Sequence, residues 1–377
     1  MDTSVVTLRR QLHQFPDLSG NEQKTAELVK AYFRTHGVGD FINDFGGAGF
    51  AVVHQFGSGG KTVVIRCELD ALPIAEPNTF AWRSQHPGIS HKCGHDGHMA
   101  IVASMLFWLR EQSFLAGRVV LLFQPAEENG EGAAMVCQDH RLRALQPDYV
   151  FALHNIPGVP LGTVIGLPDH FSAEVISLKI SLQGKEAHAA EPHQGRNPAF
   201  ACARIIAALD KLAVPDTARP DFAVLTPVHC RVGQVAYGIA PGEAELHYTV
   251  RTWSEAPMVK LQARMVSSIS EICADLDIGY GLDWREHFPA SRNDPGANQM
   301  VREAAGMAGL DFLERPYPFT FGEDFGWFSR SYKTAMFGLG AGEETPALHH
   351  ADYDFPDALL PVGSRMFAAL ITKLLLS

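Results

Sequence analysis

Three short apolar runs, each stopping abruptly at a metal-capable residue, constrain this chain more than anything else in it. Thr62-Val63-Val64-Ile65-Arg66-Cys67 runs into Glu68-Leu69-Asp70. Arg118-Val119-Val120-Leu121-Leu122-Phe123 ends in Gln124-Pro125-Ala126-Glu127-Glu128, and Tyr149-Val150-Phe151-Ala152-Leu153 ends at His154, with Pro157 barring easy continuation. Runs of this length and β-branched content, separated by helical patterns, predict a parallel sheet covered on both faces. In open α/β sheets the ligand site lies beyond the carboxyl ends of the strands. The carboxylates and the imidazole therefore fall where a site is expected.

The stretch Ser90-His91-Lys92-Cys93-Gly94-His95-Asp96-Gly97-His98 adds a thiol, three imidazoles and a carboxylate. Gly94 lets the backbone bend so that Cys93 and His95 can converge. Thiolate with imidazole suits zinc or another transition metal rather than calcium or magnesium; a His-rich loop can also produce such a cluster by coincidence. Glu127 and Glu128 are adjacent, so they point in different directions, and one can ligate a metal while the other holds water. A solvated acidic turn is the bland alternative. His154 alone reads as a satisfied core histidine and His349 alone as a loop residue. Cys93, His95, a glutamate, His154 and His349 together are too many for one tetrahedral zinc and suit two metals sharing a bridging ligand.

The 377 residues are 46% hydrophobic and carry a net charge of −11. That length predicts two domains, and the charge argues against a nucleic-acid binder, since no basic stripe is present. The first residues have no basic start leading into an apolar stretch, so no signal peptide is expected. The apolar segments are expected to be too short and interrupted to span a bilayer. Six cysteines without a disulfide-scaffold rhythm point to a reducing cytoplasm, and Cys67, Cys202 and Cys273 read as core fillers. Helix and strand alternate to about residue 168. A strand, a helix, two strands, a helix and a strand then follow, the split βαβ order of a ferredoxin-like sandwich. The expected organisation is a discontinuous catalytic domain (1–170 and 290–377) interrupted by an inserted domain (171–289).

Glu68-Leu69-Asp70-Ala71-Leu72-Pro73, Cys93-Gly94-His95-Asp96-Gly97-His98, Gln124-Pro125-Ala126-Glu127-Glu128, Leu153-His154-Asn155, Glu186-Ala187-His188-Ala189, Gly322-Glu323-Asp324-Phe325 and Leu348-His349 occur in this order. The set resembles the dinuclear metallohydrolases of the aminoacylase and carboxypeptidase type, and most of all their hippurate hydrolase and indoleacetyl-amino-acid hydrolase branch. The resemblance covers nearly the whole chain. It implies an α/β fold with a mixed, mostly parallel sheet sandwiched by helices (zinc-peptidase-like), carrying an inserted ferredoxin-like α+β domain that serves as lid and dimerisation surface. It implies two divalent ions per subunit, zinc or manganese first and cobalt or nickel next, held by Cys93, His95, Glu128, His154 and His349. Glu127 would be the general base toward the activated water. His188 would stabilise the oxyanion across a homodimer, and Arg251 would grip a substrate carboxylate. Asp70 and Asp96 would orient imidazoles, and His98 would be structural.

The chain departs from that pattern at Gly238, where Asn is usual, and at Tyr248, where Gly is usual; both are expected on lid strands that touch substrate. Glu68 stands in place of a more usual Asp, and Lys92, in place of a small residue, is expected to favour the Cys93 thiolate. The expected activity is hydrolysis of the amide bond of N-acyl amino acids or related small conjugates. The alternatives are a dipeptidase or carboxypeptidase with the same centre, a thiol hydrolase with Cys93 as nucleophile, and a metal-bound binding protein without turnover. No nucleic-acid or membrane partner is expected.

Overall fold

A computed structural model describes residues 3–376. The chain divides into two compact units: Ser172–Ala290 with Phe319–Gly322 form the second, and the remainder forms the first.

The first unit is built on an eight-stranded sheet. From edge to edge its strands are Ile42–Phe45, Gly49–Phe56, Gly117–Gln124, Thr62–Glu68, Tyr149–Ile156, Lys333–Gly340, Val164–Gly166 and Phe312–Glu314. The four central strands, Gly117–Gln124 through Lys333–Gly340, are parallel. Antiparallel pairing joins Ile42–Phe45 to Gly49–Phe56, Gly49–Phe56 to Gly117–Gln124, and Lys333–Gly340 to Val164–Gly166. The sheet is thus mixed and mostly parallel. Every residue of Thr62–Glu68 is buried, which explains an apolar run without alternation: both faces are covered. Val63 and Ile65 enter the main core with Leu8 and Leu12 of helix Thr3–Gln14, Met99 and Leu106 of helix His95–Arg110, and Phe367 and Leu370 of helix Leu360–Leu375.

Two expectations change here. The strand Tyr149–Ile156 continues past Leu153, so His154 lies within it rather than after it. By length and composition alone, Asp357–Leu375 is apolar enough to cross a membrane. In the fold it is a core helix, with Met366, Phe367, Leu370, Ile371 and Leu374 buried.

The second unit has a four-stranded antiparallel sheet in the order Gly279–Phe288, Glu174–Gln183, Glu243–Thr252, Ala223–Val232. With helices Ala199–Asp210 and Glu255–Asp275 between strands, the chain order is βαββαβ. Burial alternates along Glu243–Thr252, as a sheet with one covered face requires. Leu246, Tyr248 and Val250 meet Ile205, Leu209, Met265 and Ile269 there.

Candidate metal centre

The first unit brings Cys93, His95, Glu127, Glu128, His154 and His349 together in overlapping donor groups. Cys93–His95–His154, Cys93–Glu128–His349 and His95–Glu127–Glu128 each have their donor atoms within 4.8 Å of one another. Glu127 and Glu128 follow strand Gly117–Gln124 after a turn at Ala126, whose φ of 53° is unusual for a residue with a side chain. Such a conformation costs on the order of 1–3 kcal/mol. Buried Glu22 holds it, accepting from Ala126 N at 2.7 Å. Gly94, with φ of 101°, caps the helix that His95 begins, and a Cβ there would fall 2.6 Å from Asn155 Oδ1. A side chain there would be strained and would have to displace Asn155.

Hydrogen bonds settle what the imidazoles present. His95 donates through Nδ1 to the Asp70 carbonyl at 2.9 Å, and His154 donates through Nδ1 to the Asn155 carbonyl at 2.9 Å. A carbonyl only accepts, so in its neutral form each ring turns an Nε2 lone pair toward the cluster. His154 Nε2 lies 3.5 Å from Cys93 Sγ. His95 Nε2 lies 3.8 Å from Glu127 and 3.9 Å from Glu128. His349, half-exposed and at φ 64°, brings Nε2 to 3.8 Å from Glu128. His95 Nε2 and Glu128 Oε1 are buried and have no hydrogen-bond partner among the described residues.

Burial, followed by Glu323, Glu128 and Asp324, pushes the Glu127 carboxyl well above its usual range. Burial raises Glu128 to about 7 against the pull of His95, and burial with Glu128 pushes up the Cys93 thiol. Burial and His98 hold His154 well below the usual imidazole range. At His95 burial opposes the charge, but Cys93 and Asp70 outweigh it. Buried anionic donors that oppose one another's ionisation, beside two lone pairs and an orphaned carboxylate oxygen, are chemically suited to divalent cations. Mixed sulfur, nitrogen and oxygen donors fit transition metals.

A second layer supports this one, and much of it was not anticipated from sequence. Arg66, fully buried, bonds Gln124 Oε1 at 2.8 Å, Asp324 at 2.5 Å and Glu323 at 3.0 Å, and also pairs with Glu68. Asp324 N in turn donates to Glu127 Oε1 at 3.3 Å. His98 has both nitrogens engaged, by Glu68 at 2.7 Å and Asn155 Oδ1 at 2.6 Å. Asp70 accepts from Glu128 N at 2.8 Å and Ser19 Oγ at 2.7 Å. Asp96 does orient an imidazole, but it is that of His13 at 2.8 Å, outside the donor groups, with Arg9 at 3.0 Å. Lys92 also departs from expectation. Its ammonium is directed at Glu76, Asn78 and the Tyr353 carbonyl, whereas after burial it is Glu128, His95 and Glu127 that act on the Cys93 thiol.

His188 and Arg251 belong to the second unit. His188 is exposed on the short strand Ala187–His188, which pairs with Ile239–Ala240. Its Nδ1 accepts from Ala190 N at 3.0 Å, so in the neutral ring the proton sits on Nε2. Arg251 donates from Nε to the Thr320 carbonyl and from Nη1 to Thr249 Oγ1, each at 3.0 Å. Gly238 sits beside this region, its carbonyl accepting from Ala189 N at 3.0 Å. Tyr248 does not lie on a substrate-facing surface: its ring is buried in the unit's own core, and its hydroxyl has no hydrogen-bond partner among the described residues.

Residues 64–373 match the model of peptidase family M20/M25/M40. The chain belongs to that family. The matched span contains all of the donor residues above. N-acetyl-L-cysteine deacetylase of Bacillus subtilis (strain 168) is 33% identical over 329 residues, covering 87% of this chain and 78% of the relative. N-acetyldiaminopimelate deacetylase of Shouchella clausii is 32% identical over 340 residues, covering 89% of each. Among solved structures, the M20-family YXEP protein of Bacillus subtilis, described as a dinuclear metal binding peptidase, superposes with a TM-score of 0.83 at 25% identity. The match covers 99% of this chain and 98% of that one. As a member of M20/M25/M40 with deacetylase relatives, the chain is a hydrolase acting on amide bonds.

Proposed function

We propose that this chain hydrolyses the amide bond of N-acyl amino acids at a centre of two divalent cations. Cys93, His95, Glu128, His154 and His349 would hold the ions, zinc or manganese before cobalt or nickel. The observation that carries this reading is the aim of His95 Nε2 and Glu128 Oε1, both buried and with no hydrogen-bond partner among the described residues, into one donor cluster beside Glu127. When bound, such ions polarise a carbonyl and make water nucleophilic near neutral pH. The deacetylase relatives and the dinuclear-metal neighbour support the same chemistry.

Glu127 takes the proton from the attacking water and returns it to the leaving amine. Asp324 N–H fixes one of its oxygens, at 3.3 Å, and the other faces His95 Nε2 at 3.8 Å. His188 donates from Nε2 to the developing oxyanion, supplied by a second copy of the chain. Arg251 grips the substrate carboxylate with the part of its guanidinium not engaged by Thr320 and Thr249. Dimerisation through the second unit is supported by its edge strand Ala223–Val232 and by the exposed side chains of Val228, Val235, Tyr237 and Ile239; unpaired edges and apolar patches favour association. Six free cysteines support a cytoplasmic location.

The test strips the protein of metal, reloads it with zinc, manganese, cobalt or nickel in turn, and follows free amino acid released from N-acetyl, N-benzoyl and indoleacetyl amino acids and from dipeptides. Turnover of acyl amino acids only after reloading is expected. Equal turnover in the stripped protein would overturn the metal reading, and turnover of dipeptides alone would overturn the substrate class.

A further inference from the structure

Lys92 is fully buried beside Cys93, in a place where neither size nor hydropathy favours a lysine. An ammonium carries three N–H donors, and three acceptors meet this one: the Glu76 carboxylate, Asn78 Oδ1 at 2.8 Å and the Tyr353 carbonyl at 2.7 Å. The same residue's main-chain carbonyl accepts from His349 N at 2.8 Å. One residue therefore holds the 349–353 segment at both ends, by its backbone at His349 and by its side chain at Tyr353. Tyr353 is itself immobilised, buried with its hydroxyl accepting from Asn155 Nδ2 at 2.5 Å.

His349 needs such support. Its φ of 64° is one that residues with side chains rarely adopt. Its ring is 52% exposed and approaches Glu128 only to 3.8 Å. With half the ring in solvent, its direction leans on the backbone that carries it. The carboxylate that Lys92 meets is also anchored: Glu76 accepts from His13 Nε2 at 3.0 Å and from Ser84 N at 2.5 Å. A lysine in this arrangement is rigid, which a clamp requires.

From this geometry we infer that Lys92 is a positioning residue for His349, locking the loop that carries His349 to the loop that carries Cys93. The inference rests on the two-cation reading above. Its consequence is selective: the Cys93–Glu128–His349 group depends on Lys92, and the Cys93–His95–His154 group does not.

The experiment measures the two binding constants for cobalt by stepwise addition to metal-free protein, following visible absorption and bound metal per chain. The proteins are wild type, Lys92→Met with Glu76→Gln (which strands no buried charge), His349→Ala, and the triple variant. Orienting residues outside the coordination sphere typically change metal affinity by about 10–100-fold. The Lys92→Met, Glu76→Gln protein is expected to weaken one step by that factor, the step that His349→Ala also weakens, and to leave the other step within about threefold. In the His349→Ala background the same pair of changes should add little, as coupled sites do. Unchanged binding, equal loss at both steps, or additive loss in the triple variant would overturn the inference. Circular dichroism and the surviving step show whether the variant is folded, and a variant that has lost both would be counted as equal loss. A wild-type protein taking up fewer than two ions overturns the metal reading itself, and this inference with it.

Discussion

His95 gives its Nδ1 hydrogen to the main-chain carbonyl of Asp70 across 2.9 Å, so what the neutral ring turns toward Glu127 and Glu128 is the Nε2 lone pair. His154 is turned the same way by the Asn155 carbonyl. Backbone oxygens at the ends of two adjacent parallel strands thus choose the tautomer of both rings. That choice resists sequence change, because a carbonyl is present whatever the side chain.

Arg66 neutralises a buried set of carboxylates, Glu68, Glu323 and Asp324. Burial raises Asp324 to about 8 even with the guanidinium in place. Arg66→Met should cost about 3–5 kcal/mol, the usual penalty for stranding a buried partner. Chemical denaturation checks it; a loss below about 1 kcal/mol would mean that the carboxylates are neutral or solvated without Arg66.

Glu76 ties acid stability to the Lys92 clamp. Burial would raise its carboxyl, but His13, Lys92 and Ser84 N outweigh it and hold it at about 2, below the ordinary 4.5. A depressed folded pKa stabilises above the unfolded value and is lost as pH falls, here between about 4.5 and about 2. His13, raised by Asp96 and Glu76 against the effect of burial, has the opposite sign and loses its contribution as pH rises past its folded value. Denaturation midpoints from pH 5 to 2 should therefore fall less steeply in Glu76→Gln than in wild type, and parallel slopes would contradict this.

Much of the fold was legible because burial on both faces leaves an unbroken apolar signature, as in Thr62–Glu68. The donor cluster was legible because thiol, imidazoles and carboxylates, each ordinary alone, together make a set suited to two metals. Arg66 was not, since it reads as one polar interruption of a strand and its partner Asp324 lies 258 residues away. Glu22 under Ala126 and Glu76 against Lys92 are equally silent, because hydrogen bonds between distant loops have no periodicity. Tyr248 misled for a related reason: position on a strand was readable, but the face was not.

Tyr248 buries a hydroxyl in the second unit's core that has no partner among the described residues. Tyr248→Phe removes that unsatisfied group and keeps the ring, so stability should rise by about 1 kcal/mol. KM should stay as in wild type. A marked rise in KM would return Tyr248 to the substrate surface.

His188→Ala should lower kcat on the order of 100-fold, as loss of one oxyanion donor does, with little change in metal content. Mixed with Glu127→Gln protein, it should recover part of the activity, since one site of each hybrid dimer would be intact. Absence of complementation in verified hybrids would place the donor within a single chain.

The most direct test of the whole account is Glu127→Gln, read by metal content and by kcat on the best N-acyl amino acid. The amide that replaces the carboxylate keeps an oxygen for the Asp324 N–H and loses the charge and the capacity to take a proton. Two ions per chain with kcat reduced on the order of 100- to 10,000-fold is the predicted result. A fully metallated Glu127→Gln protein that turns over at the wild-type rate would contradict it.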